Sequence, residues 1–201
     1  MPASTARCNA AVLGLSHGGF ELLCDNLPRL PADLPAPLLV CLHRPAQSGN
    51  EMAELLNARC VIRVKDAEPG ETAEAGTVYL APGGYPLLLE RDGSLGLSQD
   101  PPHLHARPAI DVLFESAALA RGNRLAGALM TGASEDGAQG LAMIAACGGV
   151  TIVQQPADAR SPVMPEAALK QQQPDHLILG KQLAATLVEL LQATPSTGTR
   201  S

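Results

Sequence analysis

The chain has 201 residues, of which 46% are hydrophobic, 17% charged and 2% aromatic, with no Trp and a formal net charge of −6. Area scaling lets such a chain bury roughly 70% of its extended surface, enough for one good core in a single domain. Too few aromatic rings exist to stack on bases, and the charge has the wrong sign for a phosphate backbone, which argues against a nucleic-acid partner.

No apolar run approaches the length of a bilayer span. The first 16 residues hold one Arg and a short apolar stretch that turns at once to glycine, a strand pattern rather than a signal peptide. Cys8, Cys24, Cys41, Cys60 and Cys147 are odd in number and lack C-x-x-C spacing, so neither a disulfide framework nor a zinc site is supported. A cytoplasmic location is expected.

In chain order, residues 9–15 form an apolar strand, and Gly18 and Gly19 open a helical pattern carrying Phe20, Leu22, Leu23 and Leu27. A proline-rich connector over 28–37 leads to a second strand at 38–42. Ser48 and Glu51 have the spacing of a capping box, with Met52, Leu55 and Leu56 behind it as an apolar helical face. Residues 60–64 form a third strand. Continuous apolar strands separated by helices imply a parallel sheet covered on both faces.

The middle departs from this alternation. Residues 77–80, 85–91 and 95–97 read as strands, with Asp92 and Gly93 in a tight turn. Helical periodicity resumes from Pro108 and ends near Gly122. A strand at 125–130, a helix at 137–147, a strand at 150–153 and helices at 165–172 and 182–192 complete the chain. The predicted fold class is α/β, doubly wound: a mostly parallel sheet in a three-layer α/β/α, Rossmann-like arrangement, with a small antiparallel hairpin insertion. Residues 1–8 are expected as a short tail, 9–193 as one domain and 194–201 as a disordered tail.

In an open parallel sheet, functional groups gather beyond the carboxyl ends of the strands. Ser16 follows the first strand, His43 the second, and Asp136 the strand ending at Met130. A hydroxyl, an imidazole and a carboxylate leaving one edge are the inventory of a serine nucleophile, its base and the group that orients the base. Ser16 stands on a glycine-flanked strand-to-helix turn whose amides could face an oxyanion. Each residue alone has a plainer reading: an N-cap for Ser16, a hydrogen-bonded strand end for His43, a helix cap for Asp136. Their shared edge favours the triad. The order Ser-His-Asp differs from the three common hydrolase orders and excludes a standard α/β-hydrolase.

The sequence resembles the catalytic domain of the chemotaxis protein-glutamate methylesterase family, CheB. The turn Gly14-Leu-Ser-His-Gly-Gly19 stands where that family has G-A-S-T-G-G, and Leu42-His-Arg-Pro45 where it has Q-H-M-P. Gly76 to Gly83 matches its G-x-V-Y-x-A-P-G hairpin, and Arg107 to Phe114 its R-P-S-x-D-V-L-F helix. Met130 to Gly140 matches L-T-G-M-G-x-D-G-A-x-G, and Val163 to Ala168 the late G-M-P-x-A-A. The motifs run in register from residue 11 to about 191. The resemblance implies hydrolysis of glutamate methyl esters on chemoreceptors, and in some relatives glutamine deamidation, without metal or cofactor. It puts nucleophile, base and orienting carboxylate on Ser16, His43 and Asp136.

Departures from the family pattern fall around the site: His17 replaces Thr, Ala133 replaces Met, Ser134 replaces Gly, and Pro86 replaces a His. The oxyanion donors are expected from His17, Gly18 and Gly19 or from Gly132 to Ser134. Arg44 and Arg160 are expected substrate contacts, since acidic receptor helices need local cations on a chain of charge −6. The family's receiver domain is not seen ahead of the first strand, so the expectation is either constitutive activity or control by a separate regulatory protein as partner. A catalytically idle binding module is the alternative reading. A nucleotide-binding protein is disfavoured, because the turn lacks G-x-G-x-x-G spacing and His43 stands where an acidic ribose partner belongs. His103 and His105 lack a third ligand at metal spacing.

Overall fold

The computed structural model describes residues 8–98 and 108–192. Seven strands form one parallel sheet in the order β3-β4-β2-β1-β7-β8-β9. The central three, β1 (Ala10–Leu15), β2 (Leu38–Leu42) and β7 (Leu125–Leu129), are buried along their whole length. That is why they read as unbroken apolar runs. Flanking them lie β3 (Arg63–Asp66), β4 (Thr77–Leu80), β8 (Val150–Gln154) and β9 (His176–Ile178). A separate antiparallel hairpin pairs β5 (Leu87–Leu89) with β6 (Leu95–Leu97).

Strand alternation sorts the core into two layers. Ala11, Leu13 and Leu15 of β1 face a cluster with Leu23 of α1 (Gly19–Asn26), Leu56 of α2 (Glu51–Asn57) and Leu187 of α6 (Leu183–Gln192). Ala10 and Val12 face the opposite layer. There they meet Phe114 of α3 (Ile110–Arg121), Leu141 of α4 (Ala138–Ala146) and Ala168 of α5 (Val163–Gln171). The shortage of aromatics is matched by close helix seating. A Cβ at Gly14 would meet Ile110 Cγ2 at 2.4 Å, and one at Gly127 would meet Ile144 Cδ1 at 2.5 Å. Volume that rings would fill is removed by bringing helices down onto bare backbone.

The doubly wound α/β expectation with a hairpin insertion agrees with this architecture. Three local expectations do not. Residues 77–80 belong to the main parallel sheet, where β4 lies between β3 and β2. Its crossover from β3, residues 67–76, contains no helix and so hides the βαβ rhythm. The third strand begins at Arg63 rather than residue 60, because the amides of Arg59 and Cys60 still bond back to Leu56 and Asn57 at the end of α2. The Ser48–Glu51 capping box does not form. Ser48 lies in a turn closed by its amide onto the Pro45 carbonyl, and Asn50 caps α2 without a side-chain cap bond.

Candidate active site

The sheet reverses its winding at β1, with β2 on one side and β7 on the other. Ligand crevices of doubly wound sheets open at such a point, beyond the strand carboxyl ends. Past the end of β1, the Ser16 amide donates to the Thr131 carbonyl at 2.9 Å, and past β2 the His43 amide donates to the Leu15 carbonyl at 3.1 Å. Backbone pairing beyond the strands therefore sets Ser16 between His43 and the Thr131 segment.

The turn after Ser16 is closed by the Gly19 amide on the Ser16 carbonyl at 2.8 Å. Gly18 has φ 83° and ψ 0°, the third-position signature of a type II turn, which only a residue tolerant of positive φ adopts cheaply. Gly132 serves a different need: a Cβ there would lie 2.5 Å from Met164 Cε and 3.0 Å from Ser16 Cβ. Bare backbone at Gly132 lets the β7 loop pass against the nucleophile turn.

Asp136 joins the β7 loop to His43. His43 Nε2 and Asp136 Oδ2 lie 2.7 Å apart, with the imidazole 17% exposed and the carboxylate 0%. Oδ2 also accepts from the Ile110 amide at 2.7 Å, and Oδ1 accepts from the Asp111 amide at 3.0 Å. The free amides at the start of α3 thus grip the carboxylate, as helix N-termini grip anions. Burial pushes the Asp136 carboxyl up, but the His43 bond and the Asp111 and Ile110 amides outweigh it and hold it below its ordinary 3.8. An ionised Asp136 only accepts, so His43 Nε2 must carry the proton in that bond and Nδ1 is left with the lone pair. The basic nitrogen is therefore Nδ1, the reverse of the serine-protease arrangement. Among the described residues no hydrogen bond joins the Ser16 hydroxyl to the imidazole, a contact that commonly tightens only with substrate bound.

Several candidate oxyanion donors are already engaged. The Gly19 amide serves the Ser16 carbonyl, and the Gly132 amide donates to the Ser161 carbonyl at 3.1 Å. Among the described residues, the amides of His17, Gly18, Ala133 and Ser134 donate to no backbone carbonyl. His17 and Ala133 are exposed and Ser134 half-buried.

The two expected arginine contacts separate. Arg160 is 59% exposed and bonds Glu21 at 2.7 Å, and its stem packs on the nucleophile turn: a Cβ at Gly18 would lie 2.8 Å from Arg160 Cβ. Arg44 instead is 6% exposed and held by Asp66 at 2.5 Å. Its guanidinium is paired with the Asp66 carboxylate at the end of β3. His103, His105 and Arg107 lie outside the described residues, and no metal-binding cluster occurs among the described ones. No helix there is long and apolar enough to cross a membrane.

Sequence reasoning missed the polar brace behind the turn. Thr131 is 1% exposed, and its amide donates to Gln154 Oε1 at 2.9 Å. Gln154 Nε2 donates to Asp158 Oδ2 at 2.8 Å, which also accepts from the Gly180 amide at 2.6 Å. The available signal was a polar residue closing each of two apolar strands, Thr131 after β7 and Gln154 in β8.

The depressed carboxyls fix a pH dependence of stability. The Gly180 amide and Gln154 hold Asp158, like Asp136, below its ordinary 3.8. Below that value the unfolded chain binds more protons than the folded one, so stability rises with pH there and is complete above it. Urea unfolding is expected to show a steady midpoint from pH 5 to 7 and a falling one below about pH 4. In Asp136→Asn the acid slope is expected to shrink by up to about 1.4 kcal/mol per pH unit.

Fold and site together define a doubly wound α/β domain with a hydroxyl, an imidazole and a buried carboxylate at its switch point. The CheB methylesterase family profile matches residues 11–187, and the chain belongs to that family. A Leptospira interrogans relative is 37% identical over 183 residues, 91% of this chain and 95% of its own length. A Symbiobacterium thermophilum protein-glutamate methylesterase/protein-glutamine glutaminase is 42% identical over 143 residues, 71% of this chain but 40% of the larger protein. Among solved structures, the Thermotoga maritima CheB methylesterase catalytic domain superposes with a TM-score of 0.86 at 28% identity, covering 91% of this chain and 98% of its own.

Proposed function

We propose that this chain is a protein-glutamate methylesterase acting through Ser16, His43 and Asp136. Ser16 Oγ attacks the γ-carbonyl carbon of a glutamate methyl ester while its proton passes to His43 Nδ1. The oxyanion is held by turn amides, the C–O bond to methoxide breaks, and the imidazolium returns the proton so that methanol leaves. Water then gives a proton to His43 and attacks the acyl-serine, releasing the glutamate carboxyl and restoring Ser16. A glutamine side chain would follow the same steps with ammonia leaving. The observation that carries this reading is the 2.7 Å bond from His43 Nε2 to the buried Asp136, which points the basic nitrogen away from the carboxylate.

The substrates are methylated cytoplasmic helices of chemoreceptors, which places the protein in the cytoplasm, and residues 9–193 act as one catalytic domain. Such helices are acidic, and Arg160 is the expected cation at the rim of the nucleophile turn, already beside Glu21.

The test is methanol and ammonia release from a methylated receptor fragment, together with fluorophosphonate labelling mapped by mass spectrometry. Methanol release with the label on Ser16 is expected. Binding of the fragment without turnover or labelling would overturn the assignment in favour of a docking module.

A further inference from the structure

We infer that Thr131 is a positioning residue that locks the nucleophile turn in its type II form and so fixes the direction of the Gly18 amide toward the reacting oxygen. The inference rests on the esterase reading above and assigns the oxyanion donor within it.

Type I and type II turns share the same ends and differ by a flip of the central peptide. In this turn the central peptide joins His17 to Gly18, and a glycine at the third position tolerates both forms. The Ser16–Gly19 hydrogen bond that closes the turn is common to both and selects neither. Selection must come from a group that holds the central peptide itself. Thr131 Oγ1 donates to the His17 carbonyl at 2.9 Å, and that carbonyl belongs to the central peptide. In a trans peptide the C=O and the following N–H point in opposite directions. Fixing the His17 carbonyl on Thr131 therefore fixes the Gly18 N–H on the far side.

The hydroxyl has one proton, and its other contacts favour the His17 carbonyl as acceptor. Ser161 offers an amide at 2.9 Å, which makes Oγ1 an acceptor there, and a carbonyl at the longer distance of 3.4 Å. Thr131 also holds the start of the turn, accepting the Ser16 amide on its carbonyl at 2.9 Å. Its own backbone is anchored by Gln154, itself tied to Asp158 and Gly180. One buried residue thus grips the nucleophile turn at Ser16 and at His17 from a braced position. Of the amide candidates, Gly19 and Gly132 are engaged, His17, Ala133 and Ser134 donate to no backbone carbonyl among the described residues, and Gly18 is the one whose direction the Thr131 contact fixes.

Thr131→Val keeps the shape and removes the hydroxyl, and Thr131→Ser restores it. Rates are measured per labelled Ser16, so that misfolded protein does not count. In Thr131→Val, kcat for methanol release is expected to fall about tenfold or more, short of the roughly hundredfold cost of deleting a whole oxyanion donor. KM and the midpoint of the pH profile should stay in place, because His43 and Asp136 are untouched. Thr131→Ser should recover most of the rate. Equal kcat in wild type and Thr131→Val, or a loss that Thr131→Ser leaves in place, overturns the role of the hydroxyl while leaving the esterase intact. A wild type that neither labels nor releases methanol overturns the esterase reading and this inference with it.

Discussion

Ser16→Ala is expected to lower kcat for methanol release by about a millionfold while leaving the folded structure unchanged. The size follows from the part removed. Without Oγ there is no acyl-enzyme, and only binding and oxyanion stabilisation remain to speed direct attack by water. The harmlessness to the fold follows from which atoms of Ser16 do structural work. Its amide holds the Thr131 carbonyl and its own carbonyl accepts from Gly19, and alanine keeps both groups. Thermal unfolding should therefore coincide with wild type. A variant retaining more than about a thousandth of the wild-type rate would show that Ser16 is not the nucleophile.

Legibility in the sequence follows the physics of each element. β1, β2 and β7 are buried on both faces, so their order and the residues just past their ends could be read directly. Ser16 and His43 were visible for that reason, and Asp136 because it precedes a glycine at a helix start. β4 was misplaced because sheet membership depends on partners, and its crossover lacks the helix that announces a parallel strand. The burial of Arg44 was not legible because exposure is a tertiary property: nothing near it in sequence reveals that Asp66, 22 positions on, pairs with it. The grip of Ile110 and Asp111 on Asp136 was invisible for a similar reason, since backbone amides carry no residue signature. Composition was informative in a way first apparent only from packing. Few aromatics and many small residues describe helices seated on Gly14 and Gly127.

Asp136→Asn is expected to lower kcat by about 10⁴ at unchanged KM, and the hydrogen-bond inventory explains why an isosteric change is so damaging. The carboxylate oxygens accept from three donors: His43 and the Ile110 amide on Oδ2, the Asp111 amide on Oδ1. An asparagine must put its NH2 in one of the two places. At the Oδ1 position, the NH2 meets the Asp111 N–H, leaving two buried donors unpaired at a cost of about 1–3 kcal/mol each. At the Oδ2 position it faces the Ile110 amide and the imidazole, and His43 can answer only by presenting a lone pair at Nε2. That tautomer carries its proton on Nδ1, so the nitrogen meant to deprotonate Ser16 becomes a donor. Neither orientation keeps both the helix grip and a basic Nδ1, and the negative charge that stabilises the imidazolium is lost in both. The measurement is kcat, KM and urea stability of the purified variant at neutral pH. Activity within about tenfold of wild type would mean that the carboxylate acts only as an anchor for α3 and has no part in orienting the base.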